Sequence, residues 1–187
     1  MTTRKIDTLV MLIADQNGGK SNQLRSIFEE FELRHYYGGY PTPNMIAYKY
    51  YVHPDMDLYI RLSSWHEKDR SYTQVKRDIA NGYSDPRHRY KVLIPAQVSP
   101  TAKLGSGEDL FIQLHSDFDI RRSFAVWLNP DCSNRTPFSL SAHFANFMST
   151  RRHVSALSID ALALHPSAAP TTNCINSRLL CDLLFRI

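Results

Sequence analysis

The 187-residue sequence is 43% hydrophobic and 21% charged, a balance that excludes bulk disorder and suits one globular core. Lysine and arginine number 22 against 18 for aspartate and glutamate, and the resulting +4 suits a phosphate-bearing ligand but falls short of a nucleic-acid signature, which needs basic residues concentrated on one surface. The three cysteines, Cys132, Cys174 and Cys181, form neither a disulfide framework nor a close metal-binding spacing, so free thiols in a reducing, cytoplasmic setting are expected.

In chain order, residues 1–7 are a polar lead-in. The apolar run Leu9 to Ile13 predicts a strand, and it is too short for a secretory leader. No apolar run reaches the roughly 18 residues of a membrane span, so no membrane association is expected. Ala14 to Ser21 follows as a glycine-rich turn, and Leu24, Ile27, Phe28 and Phe31 then fall at helical offsets. In a strand, glycine turn and helix of this kind, backbone N–H groups can converge on a phosphate chain, and Gly18 and Gly19 keep side chains out of its way.

The turn ADQNGGKS, residues 14–21, resembles the Walker A motif of the P-loop nucleoside triphosphatase superfamily. Gly19, Lys20 and Ser21 stand on its glycine, lysine and hydroxyl positions, while Ala14 replaces the glycine of the stricter pattern. The resemblance spans about two dozen residues with the flanking strand and helix, and it points to no particular P-loop family. It implies that Ala14, Asp15, Gln16, Asn17, Gly18, Gly19, Lys20, Ser21 and Asn22 hold the phosphates of ATP or GTP. Lys20 would reach the β/γ-phosphates and stabilise charge during transfer, and Ser21 would help to hold Mg²⁺.

Beyond the first helix, residues 36–56 are rich in tyrosine, glycine and proline and read as an insertion within a single domain spanning 1–187. Met45 to Val52 is a strand or the edge of a hairpin there. Asp57 to Leu62 alternates as a strand. Tyr72, Val75, Ile79 and Tyr83 predict a helix with Gly82 near its end. Tyr90 to Val98 reads as a central strand whose ladder Pro95 ends near Ile94. An uncertain helix over 108–117, a strand over Phe124 to Leu128 and a helix containing Phe144, Phe147 and Met148 follow. VSALSIDAL, residues 154–162, fits a strand or a helix extension, and residues 174–187 form a closing helix. The sum is an α/β chain with a P-loop-like three-layer fold: a mostly parallel sheet of about five strands with helices on both faces.

A phosphate-transferring P-loop also needs an acid at a second strand end to help hold the metal. Tyr90 to Val98 ends in Gln97, which brings no charge; Asp131 is the first candidate and Asp160 a weaker one. Arg121 and Arg122 are expected to grip the phosphates, because Arg87 and Arg89 precede their strand and belong at the opposite edge. The leading function is binding and Mg²⁺-dependent hydrolysis of ATP or GTP. A small-molecule or nucleoside kinase, a non-hydrolysing nucleotide-binding module and, less indicated, a nucleic-acid binder stay open. An exposed apolar face on the closing helix would seek a protein partner or a second copy of the chain.

Overall fold

The computed structural model describes residues 4–30, 33, 47–82, 85–129, 139–161 and 176–186. The strands are β1 (Lys5–Ile13), β2 (Ala47–His53), β3 (Met56–Arg61), β4 (Arg89–Ala96), β5 (Asp119–Leu128) and β6 (Val154–Ile159). The helices are α1 (Lys20–Ser26), α2 (Tyr72–Asn81), α3 (Gly107–Asp117), α4 (Ala142–Ser149) and α5 (Asn176–Phe185). Short 3₁₀ turns follow α1 at Ile27–Glu29 and β3 at His66–Lys68.

The strands form one sheet in the order β2-β3-β4-β1-β5-β6. From β3 to β6 every neighbouring pair is parallel, and β2 closes the edge as an antiparallel hairpin with β3. This is the mostly parallel, three-layer α/β arrangement expected from the sequence, consistent with a P-loop-like topology.

β1 is central because both its faces are apolar, as a strand covered on two sides requires. Its side chains alternate between the two layers. Val10 and Leu12 pack with Leu24 of α1, Phe28 and Leu180 and Leu184 of α5. Leu9, Met11 and Ile13 pack with Val75 and Ile79 of α2, Leu110 and Leu114 of α3 and Phe144 of α4. Right-handed crossovers account for the division: the connection through α1 runs toward β3, whereas those through α2, α3 and α4 run the other way. Neighbouring β1 and β4 therefore send their following helices to opposite faces, which opens a crevice at their carboxyl ends.

Three boundaries differ from the sequence reading. α1 is short, with the 3₁₀ turn carrying Ile27 and Phe28, while Phe31 lies outside the described residues. β4 continues through Pro95 to Ala96, because pairing with β3 has already ended at Leu93. Ala96 accepts from Ala14 on the β1 side, so by alternation the missing N–H of Pro95 faces the unpaired side and breaks no bond. β5 starts at Asp119, five residues before the expected Phe124.

Candidate phosphate-binding site

The turn after β1 curls back on itself. Asn17 (φ 64°) and Gly19 (φ 91°) take left-handed backbone conformations, which asparagine tolerates and glycine adopts without penalty. The Gly18 N–H donates to Asp15 O at 3.1 Å, while Asn22 and Gln23 N–H donate to Gly19 O at 3.0 and 3.2 Å, starting α1. Among the described residues, no acceptor meets the amide N–H groups of Gln16, Asn17, Gly19 and Ser21. Unmet donors gathered in alternating backbone conformations create a positive concavity suited to an anion.

These amides border a recess of about 330 Å³ lined by residues 16–22 and by Glu67. Lys20 lies at its base, 4% exposed, with its ammonium donating to Ala14 O at 3.1 Å and Asp15 O at 2.6 Å. Ala14 and Asp15 thus sit behind the lining as carbonyl anchors for Lys20. The Ser21 hydroxyl donates to Leu62 O at 2.8 Å, leaving the oxygen's lone pairs for a cation.

Glu67, which sequence reasoning missed, is the only carboxylate among the described residues of this lining. It belongs to the 3₁₀ turn after β3, and its neighbour His66 fastens that turn. Gly105 O can only accept, so His66 Nε2 carries the proton and donates to it at 2.7 Å. Nδ1 then accepts from the Ser64 hydroxyl at 2.9 Å. Burial, with the Lys20 charge adding to it, holds His66 below the usual histidine range, against the opposing pull of the Gly105 carbonyl. A neutral imidazole therefore ties together the segments that follow β3 and β4. The available signal for Glu67 was its position just past the carboxyl end of a parallel strand.

The arginines stand elsewhere. Arg121 and Arg122 open β5, where Arg121 donates to Asp7 Oδ1 at 3.1 Å and Arg122 to Thr8 Oγ1 at 3.3 Å. Thr8 precedes Ala14 by six residues, about 20 Å of extended strand. The structure does not bring either arginine to Lys20, because the early start of β5 carries both to the amino-terminal edge of the sheet.

Asp131 lies outside the described residues, as do Cys132 and Cys174. Asp160 follows the edge strand β6, and its carbonyl accepts from Asn176 at 2.8 Å. On α5, Leu180, Leu183 and Leu184 are buried in the chain's own core, and Leu179 and Phe185 are partly buried against it.

Among the described residues, no three histidine, cysteine, aspartate or glutamate side chains gather as a metal cage. Magnesium carried on phosphates needs only one or two protein oxygens, and Ser21 with Glu67 has that chemistry. None of the described helices is long and apolar enough to cross a membrane. No model of a known protein family matches the chain, and neither a curated protein nor a solved structure does.

Proposed function

We propose that the chain binds a nucleoside triphosphate, ATP or GTP, at residues 16–22 and hydrolyses it with magnesium. The observation that carries this reading is the set of unmet amides in the residues that line the recess, together with Lys20 in the same lining. On binding, Lys20 exchanges its carbonyl partners for oxygens of the β- and γ-phosphates. There it neutralises charge that grows on the transferring phosphoryl group. The Ser21 oxygen and the Glu67 carboxylate, which line the same recess, would hold the metal. A bound magnesium would supply Lewis-acid stabilisation of the charge on the phosphate oxygens.

Transfer to an acceptor hydroxyl, the kinase alternative, would use the same cradle and differs in its products. Incubation with MgATP or MgGTP and no added acceptor is expected to release inorganic phosphate. Glu67→Gln should weaken the magnesium dependence by about 10- to 100-fold. Release only as a phosphorylated acceptor would select the kinase, and bound nucleotide with no product on long incubation would select a non-hydrolysing module. Absence of nucleotide binding would overturn the site itself.

A further inference from the structure

At the amino-terminal edge of the sheet, remote from the cradle, lies a second pocket of about 240 Å³. It is lined by Lys5 and Asp7 of β1, residues 86–90 at the entry to β4, and Arg121 of β5. Three neighbouring strands therefore contribute cations to one concavity. Lys5 has no ion pair or side-chain hydrogen bond among the described residues. Arg121 is 65% exposed and uses Nη1 on Asp7. Arg87 is 86% exposed and grips Asp85, and Arg89 pairs with Asp55 at 3.3 Å.

The carboxylate in the lining does not make the pocket acidic. Asp7 already faces Lys91, Arg121 and Arg122, so its single charge is shared among three cations. Around the pocket Lys5, Arg87, Arg89, Lys91, Arg121 and Arg122 outnumber Asp7, Asp55, Asp57, Asp85 and Asp119, with Asp57 holding His88, Asp85 holding Arg87 and Asp119 in register with Lys5. A guanidinium that spends two N–H groups on a carboxylate keeps three more donors. Each arginine can serve an anion without abandoning its present partner.

Size and shape narrow the ligand. A pocket of about 240 Å³ falls below the roughly 300–1,000 Å³ of sites that enclose a whole organic ligand. It suits one tetrahedral anion and its waters. A planar carboxylate is satisfied by one arginine fork, whereas cations arriving from three strands match oxygens that point in several directions.

We propose that this pocket is a second phosphate site, independent of the cradle, which takes inorganic phosphate or the phosphate group of a larger ligand. The test is a ¹H–¹⁵N NMR titration of the full chain, with inorganic phosphate in one arm and glycerol phosphate as a phosphomonoester in the other. Amides of Lys5, His88 and Arg121 should shift and saturate in both the native chain and Lys20→Ala, and sodium chloride of equal ionic strength should not reproduce the shifts. Paired replacement of Lys5 and Arg121 by alanine should weaken binding at least about tenfold, the effect of losing a charge-assisted contact. Arg87→Gln, at a position exposed enough to leave folding intact, should weaken it in the same direction. Tighter binding of glycerol phosphate would place the group on a larger molecule, and equal binding would assign the free ion. Shifts that fail to saturate, that chloride reproduces, that vanish in Lys20→Ala, or that survive both pocket replacements would overturn the proposal.

Discussion

The hydroxyl of Ser21 donates to the main-chain oxygen of Leu62 across 2.8 Å, joining the start of α1 to the residue after β3. This bond fixes the hydroxyl proton and presents the oxygen's lone pairs to the recess. Ser21→Ala should bind nucleotide without magnesium much as the native chain does, while losing about 1.5–3 kcal/mol of the gain that magnesium brings. Ser21→Thr should keep most of that gain. Calorimetric titration with and without the metal checks both.

The ion pair of Asp7 with Lys91 is the most deeply buried in the described structure, with side chains 9% and 2% exposed. Removing one partner leaves the other charged and dry, so Asp7→Ala should cost about 3–5 kcal/mol in urea denaturation. Lys91 keeps a hydrogen bond to Thr8 Oγ1 at 2.9 Å, which satisfies one donor but supplies no opposite charge. Arg121→Ala removes a mostly exposed partner of the same carboxylate and should cost about 1 kcal/mol or less.

Acid should act on the fold in two windows. Burial, helped by the charge of Arg151, brings His115 down from 6.5 to about 4, and His66 is lowered chiefly by burial. Between pH 6.5 and about 4 the unfolded chain therefore takes up protons that the folded chain refuses, and stability falls as pH falls. Asp7 behaves differently. Burial alone would raise it, but the hydrogen bond and charge of Lys91, with the two arginines, bring it below the ordinary 3.8. Its contribution is complete above 3.8 and is lost as pH drops through the depressed folded value. Denaturant midpoints measured across pH should show both falls, and replacing His66 and His115 together with asparagine should flatten only the first.

Much of this was legible in the chain because local chemistry and tertiary packing agree. The run Leu9 to Ile13 is apolar at every position, which only a strand covered on both sides needs, and the glycine turn follows without interruption. α2 and α3 fall within two residues of their expected bounds, each opened by an N-cap serine, Ser71 with its N–H donating to Gln74 Oε1 and Ser106 bonded reciprocally with Asp109. What escaped depended on contacts remote in sequence. The sequence reading starts this strand at Phe124, yet Asp119 to Arg122 pairs with Lys5 to Thr8 and so starts β5 at the basic edge. Glu67 is separated from its strand by residues 62–66, and its turn is held by contacts remote in sequence, among them His66 on Gly105, 39 residues on, and Asp69 on Lys103.

Close packing at the crevice yields another expectation. Gly107 opens α3 with its N–H on Gln97 O at 2.7 Å, and an added Cβ would lie 2.8 Å from that oxygen and 3.2 Å from Ile13 Cγ2. Neither a backbone carbonyl nor a core side chain yields cheaply. Gly107→Ala should destabilise the protein by about 1–3 kcal/mol in thermal or urea unfolding.

The central claim is that the loop after β1 grips a polyphosphate through its amides and the ammonium of Lys20. Calorimetric titration of ATP and GTP into the native chain and into folded Lys20→Ala, each with magnesium, tests it most directly. The expected result is a loss of at least about tenfold in affinity on substitution, the worth of one charge-assisted phosphate contact. Equal affinity in the two proteins, or no binding by the native chain, would contradict it.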